Sequence, residues 1–231
     1  MNELNKRVMV ALDVNDLQEA FRLATALKGS GCWLKIGLEL YAVGGPTIIE
    51  KFKELGFSVF LDLKLHDIPT TVERAVRALS NYGADMINVH CSGGYDMMAG
   101  AVEAARSNSN NCPKMIGVTV LTTMSEAQLQ TELGFERRLE EQVTALAKLA
   151  QRAGMDGVVA SALEAPVLRK ECSSEFLLVT PGIRPASSEN NDQVRVLTPR
   201  QAIEAGSSYL VVGRPITRAA DPREALERLW D

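Results

Sequence analysis

The sequence predicts an α/β fold of the closed (β/α)8 barrel class, a TIM barrel that takes residues 1–231 as one domain. Short apolar runs recur about every 25–30 residues, each followed by a stretch of helical periodicity. Eight such runs can be read, and no Pro/Gly/Ser-rich linker divides them. The first run is not followed by a Gly-x-Gly-x-x-Gly turn, the mark of an open, doubly wound dinucleotide-binding sheet. Eight repeats without that turn favour the barrel, whose usual length the chain matches.

The first strand is read at 8–13, where Val8-Met9-Val10-Ala11-Leu12 is apolar throughout. Parallel strands covered on both faces have that character. A helix follows over 16–28, then a strand at 32–37 with a helix over 45–55. The third strand is read at 57–62 and its helix at 70–82, where Thr70 and Glu73 form a capping-box pattern just after Pro69. Strands at 84–90 and 114–121 carry helices over 95–107 and 136–153. The last three strands are read at 156–160, 176–181 and 208–213, with a helix over 200–206. The polar run 185–192 follows the seventh strand and reads as a mobile loop; the polar run 107–112 precedes a strand and belongs to the opposite face.

With 46% hydrophobic and 23% charged residues, the chain has the composition of a soluble globular protein with a sizeable core. A formal net charge of −4 provides no global field for nucleic acid or an anionic membrane, so neither is expected as a partner. An anionic substrate must then be held by a local cluster of donors. Cys32, Cys91, Cys112 and Cys172 include no CxxC pair, and His66 and His90 are the only histidines, so a zinc site is not expected. Residues Met1–Arg7 lack an apolar signal core, and nothing approaches the roughly 20 apolar residues of a membrane span. The expected location is the cytoplasm.

In barrels of this class the active site lies at the C-terminal ends of the strands. Strand one ends in Asp13, strand two carries Lys35, and strand three ends in Asp62 followed by Lys64. Each alone could be a rim charge. Lys35, however, sits inside Trp33-Leu34-Lys35-Ile36-Gly37, where an unpaired ammonium would cost several kcal/mol, so a partner carboxylate is expected. Asp62 and Lys64 are two apart and on an extended chain project to one side. Asp67 follows at the turn, and with Thr70 and Glu73 read as the cap it is available for other work.

Carboxylates within ~4–6 Å favour a protonated lysine, each contact worth about 4 kcal/mol at 4 Å and an effective dielectric near 20. Lys64 therefore suits a proton donor or fixed cation rather than a Schiff base, which needs a neutral amine. Anion-binding signals come from the last two strands, which run into Thr180-Pro181-Gly182-Ile183-Arg184-Pro185 and Gly213-Arg214-Pro215-Ile216. Barrels often bind phosphate at this position, and Pro215 fits a first helical residue.

These segments resemble the orotidine 5′-phosphate decarboxylase family, in its bacterial form, over essentially the whole chain. The most specific is Asp62-Leu63-Lys64-Leu65-His66-Asp67-Ile68-Pro69-Thr70-Thr71; Ala11-Leu12-Asp13, Leu34-Lys35-Ile36-Gly37, Val118-Thr119-Val120-Leu121-Thr122-Thr123, Val179–Arg184, Asn191-Asp192-Gln193 and Val212–Pro215 follow the family order. The resemblance implies decarboxylation of orotidine 5′-monophosphate to uridine 5′-monophosphate, the last step of pyrimidine synthesis, with no metal or organic cofactor. It makes Lys64 the donor of a proton to C6 and sets Asp62 against the substrate carboxylate. Lys35 and Asp67 complete a Lys-Asp-Lys-Asp array, and Asp13 and Lys35 reach ribose hydroxyls.

The resemblance further implies a homodimer with shared sites, in which Asp67 and Thr71 enter the neighbouring subunit's site, and it counts Ile68 among the substrate-binding residues. Arg214 and the Gly213 backbone hold the phosphate, Gln193 bridges phosphate and base, Arg184 belongs to the ligand site, and Thr122, or its neighbour Thr123, contacts the base. Related Mg²⁺-dependent sugar-phosphate decarboxylases and aldolases on the same barrel also carry Asp-x-Lys-x-x-Asp. They place a metal-binding carboxylate on strand two, where this chain has Lys35. A nucleotide-binding barrel without catalysis is the third reading, set against the cost of keeping a buried charge array idle.

Overall fold

Apolar strands that each lead into an amphipathic helix can be covered on both faces by an open sheet or by a closed barrel, and this chain closes. The computed structural model describes residues 3–108, 111–184 and 197–231, so the expected loop 185–192 and Gln193 lie outside the described residues. The strands are β1 Val8–Ala11, β2 Trp33–Gly37, β3 Ser58–Leu65, β4 Met86–His90, β5 Lys114–Val118, β6 Gly157–Val159, β7 Leu177–Thr180 and β8 Tyr209–Val212. They pair in sequence order, all parallel, and β1 pairs with β8 to close the barrel. The predicted fold class is therefore observed.

Alternation along the strands separates two cores. Met9, Ala11, Phe60, Met86, Ile116, Val179 and Val211 form a small buried cluster of their own, the filling of the barrel. The intervening residues, such as Val8, Val10, Leu34, Ile36, Val59 and Leu61, pack outward against the helices in the main cluster. The ends of β4, β6 and β8 share one device. Asp85, Asp156 and Ser208 each stand just before their strand and accept the backbone N–H of Val59, Met115 and Leu178 on the preceding strand, at 2.7, 2.7 and 3.1 Å. This satisfies backbone donors at the end of the barrel opposite the expected site.

The helices depart from expectation where the sequence breaks locally. Helix α1 (Leu17–Leu27) begins where Asp16 caps the Gln18 N–H. After β2 the chain forms two helices, α2 (Leu38–Gly44) and α3 (Thr47–Glu54), where one over 45–55 was expected; Gly45 at φ 58° followed by Pro46 separates them. Helix α4 (Pro69–Ser80) is N-capped by Ile68, so the capping box of Thr70 with Glu73 does not form. Thr70 lies inside the first turn, and Glu73 pairs instead with Arg77 one turn on. Helix α5 (Gly94–Arg106) agrees with expectation.

The expected helix over 136–153 is preceded by another, so that α6 (Glu126–Thr131) and α7 (Leu139–Arg152) follow β5. Strand β5 itself stops at Val118, short of the expected 121. Helix α8 (Ala165–Glu171) follows β6, α9 (Pro199–Glu204) lies between β7 and β8, and α10 (Arg214–Thr217) and α11 (Pro222–Glu227) close the chain. In α10 the first helical residue is Arg214, with Gly213 as cap and Pro215 second. The termini meet, since Trp230 Nε1 donates to Asn5 Oδ1 at 3.0 Å.

Close pairing of β6 with β7 depends on a missing side chain. A Cβ at Gly157 would lie 2.2 Å from the Leu177 carbonyl oxygen. Gly157→Ala must therefore push the two strands apart, and overpacking of this kind costs about 1–3 kcal/mol. Each kcal/mol lowers Tm by roughly 2–4 °C in a chain of this size, so thermal unfolding of Gly157→Ala should fall by about 5 °C. An unchanged Tm would show that the strand pair relaxes freely.

Candidate active site

At the C-terminal mouth of the barrel the inward face changes from apolar to charged. Above Ala11 on β1 comes Asp13, above Trp33 on β2 comes Lys35, and above Phe60 on β3 comes Asp62. Lys35, 7% exposed as a side chain, reaches Asp13 Oδ1 at 2.9 Å and Asp62 Oδ2 at 3.2 Å. Lys64 Nζ reaches the other oxygen of Asp62 at 2.6 Å. The partner carboxylate expected for Lys35 is thus present twice. Burial alone would lower the Lys35 pKa, but Asp62 and then Asp13 outweigh it and hold it above the usual lysine value. Burial would raise Asp62, but Lys35, Lys64 and a hydrogen bond from Asn88 hold it below the usual carboxylate range. The two shifts favour the ionised forms of Lys35 and Asp62.

Lys64 meets Asp62 by a different route from the extended chain expected. Its backbone is left-handed, at φ 53°, and among the described non-glycine residues it alone has a positive φ. The pairing of β3 with β4 shifts at that point: Leu61 faces Ile87 and Leu65 faces Val89, leaving Asp62, Leu63 and Lys64 against Asn88 alone. This bulge turns the lysine back over the mouth. Asn88 Oδ1 accepts the Lys64 N–H at 2.8 Å, and Asn88 Nδ2 donates to Asp62 Oδ1 at 2.7 Å.

Two residues to which the sequence reading gave no role of their own therefore shape the array. Asn88 is fully buried inside the apolar run Met86-Ile87-Asn88-Val89-His90, the same signal that singled out Lys35. Gly37 leaves room for the ion pair; a Cβ there would sit 3.1 Å from both Asp13 Oδ1 and Lys35 Nζ. His90 ends the same strand, with its ring centroid 5.4 Å from that of His66. Burial, helped by His66 and Lys64 and opposed by Asp62, lowers the His90 pKa.

The charged array forms one wall of a cavity of about 770 Å³. Asp13, Lys35, Asp62, Lys64, Thr122, Arg184, Gly213 and Arg214 all line it, so eight of the expected site residues come together. Ala11, Phe60, Val159 and Val211 form an apolar floor. Thr122 lines the cavity and Thr123 does not. Asp67, Ile68 and Thr71 stand apart, exposed at the start of α4, with Ile68 64% exposed. Asp67 is not the helix cap, as expected, but its carboxylate accepts the N–H of Ile68 at 2.7 Å. Among the described residues no cluster of three or more His, Cys, Asp or Glu is arranged to hold a metal ion. No helix in those residues is long and apolar enough to cross a membrane.

Residues 6–229 match the model of the family described as orotidine 5′-phosphate decarboxylase / HUMPS. An orotidine 5′-phosphate decarboxylase of Pseudoalteromonas translucida is 50% identical over 220 residues, 95% of this chain and 94% of its own. One from Bacillus cereus is 48% identical over 99% of this chain and 98% of its own. The crystal structure of the Lactobacillus acidophilus orotidine 5′-phosphate decarboxylase superposes with a TM-score of 0.87 at 38% identity, covering 96% of each chain. With a match that runs almost from end to end and a mouth carrying the expected charges, the chain belongs to the orotidine 5′-phosphate decarboxylase / HUMPS family.

Proposed function

We propose that this chain converts orotidine 5′-monophosphate to uridine 5′-monophosphate and CO2, the closing step of UMP synthesis, without metal or organic cofactor. The observation that carries the reading is the Asp13–Lys35–Asp62–Lys64 array in a cavity that Arg184 and Arg214, which follow the last two strands, also line. A substrate with a phosphate at one end and a carboxylate at the other suits that division. Arg214 and the Gly213 backbone hold the phosphate, with Gln193 and Arg184 completing the ligand site. Thr122 contacts the pyrimidine, and Asp13 and Lys35 take the ribose hydroxyls.

The substrate carboxylate then lies against Asp62, which is anchored and cannot turn away easily. The bond from C6 to the carboxylate carbon breaks, CO2 leaves, and the electron pair stays on C6. Lys64 transfers a proton from Nζ to C6, forming the new C–H bond, and regains one from solvent. A cation set where charge develops lowers the barrier, and each 1.36 kcal/mol is worth about tenfold in rate. Phosphate binding far from C6 contributes energy that orients the reacting end. Lys35 also argues against a Mg²⁺ site on strand two, since an ammonium repels a divalent cation.

We place the enzyme in the cytoplasm as a homodimer in which Asp67, Ile68 and Thr71 complete the partner's site. The exposure of all three, and their absence from this chain's own cavity, support that arrangement.

Loss of absorbance from orotidine monophosphate should proceed in excess EDTA; turnover only after adding Mg²⁺ would overturn the cofactor-free reading. Lys64→Ala should lose at least roughly 10³-fold in kcat while still binding uridine monophosphate. Activity near that of the wild type would remove Lys64 from the mechanism. Mixing inactive Lys64→Ala with inactive Asp67→Ala chains should restore part of the activity, because mixed dimers then contain one intact site. No recovery after exchange of subunits would place Asp67 in its own chain's site.

A further inference from the structure

Asn88 satisfies three demands with one amide. Its Oδ1 holds the backbone N–H of Lys64, the residue whose left-handed conformation turns its ammonium over the mouth. Its Nδ2 holds Asp62 Oδ1, the oxygen that also accepts from Lys64 Nζ. It fills the gap in the ladder where three β3 residues face one β4 residue. It is fully buried, so no water competes for either bond. A non-glycine residue at positive φ stores strain and persists only where its surroundings hold it. An Asp62 carboxylate facing an approaching substrate carboxylate would relieve repulsion by rotating away. The bond from Asn88, with those from Lys35 and Lys64, opposes that rotation.

We propose that Asn88 is a positioning residue for the reaction, fixing both the Lys64 backbone and the Asp62 carboxylate so that the proton donor and the opposing charge keep their places. The inference rests on the decarboxylation reading above. It assigns Asn88 no contact with the substrate; its action is through Asp62 and Lys64. The cavity wall that binds phosphate and ribose is built from other strands, so losing Asn88 should affect the chemical step and leave nucleotide affinity alone.

The test compares wild type, Asn88→Ala and the isosteric Asn88→Asp by kcat, KM for orotidine monophosphate, affinity for uridine monophosphate and Tm. Displacement of reacting groups by about 1 Å can cost 10²-fold, so Asn88→Ala should lose about that in kcat with KM and uridine monophosphate affinity unchanged. Asn88→Asp keeps the acceptor for Lys64 but sets a second carboxylate against Asp62. Like charges raise the pKa of one of the pair, so the acid limb of its kcat profile should move to higher pH. If Asn88→Ala does not fold, Asn88→Asp carries the test through that pH shift. Wild-type kcat in Asn88→Ala, or an unmoved acid limb in folded Asn88→Asp, would overturn the positioning role. Kcat and nucleotide affinity falling together with Tm would make Asn88 merely structural. Wild-type protein inactive on orotidine monophosphate would instead refute the decarboxylation reading, a result separable from the others.

Discussion

A carboxylate taken out of water must be surrounded by donors, and the mouth of this barrel is arranged around that requirement at Asp62. Lys35 occupies one of its oxygens, and Lys64 with Asn88 occupies the other. Lys35 is itself buried and needs Asp13 as well as Asp62. A Cβ at position 37 would crowd the Asp13 contact, 3.1 Å from both Asp13 Oδ1 and Lys35 Nζ. Lys64 reaches Asp62 only through a left-handed residue, and Asn88 holds that residue in place. Removing one partner from such a set leaves a buried charge uncompensated, which is far more costly than losing a surface ion pair.

The rest of the barrel separates stability from chemistry along its axis. At one end, Asp85, Asp156 and Ser208 tie neighbouring strands together through backbone N–H groups, and Trp230 holds the chain's end to Asn5. At the other, the inward positions give up apolar packing for charge. Within the cavity the charges divide again, with the Asp–Lys array on the first three strands and Arg184 and Arg214 after the last two. A protein of net charge −4 can thus hold an anion by local placement of cations. In the proposed reaction that division orients the substrate, with phosphate at one wall and the scissile carboxylate at the other.

Burial and periodicity made much of this legible in advance. Apolar runs that do not alternate identify strands covered on both faces, and eight of them closed as expected. Lys35 inside an apolar run implied a carboxylate partner, and the structure supplies two. Local readings were weaker where two signals competed. Thr70 and Glu73 have capping-box spacing, yet Pro69 begins the helix one residue earlier and Arg77 takes the glutamate. Gly45 and Pro46 divide what periodicity joined.

The sequence by itself determined the barrel, the charges at its mouth, their family and the order in which they appear, because hydrophobic spacing and residue type are local properties. Only the tertiary structure decided that Asp62 and Lys64 meet through a bulge and not by simple alternation. Asn88 bonds across that bulge, 24 positions away from Lys64 and adjacent only once β3 lies beside β4. It decided too that Asp67, Ile68 and Thr71 stand outside the cavity that the other eight described site residues share, since the direction of the chain after β3 depends on where α4 packs. A motif names the groups present; the packing of neighbouring strands determines which of them face one another.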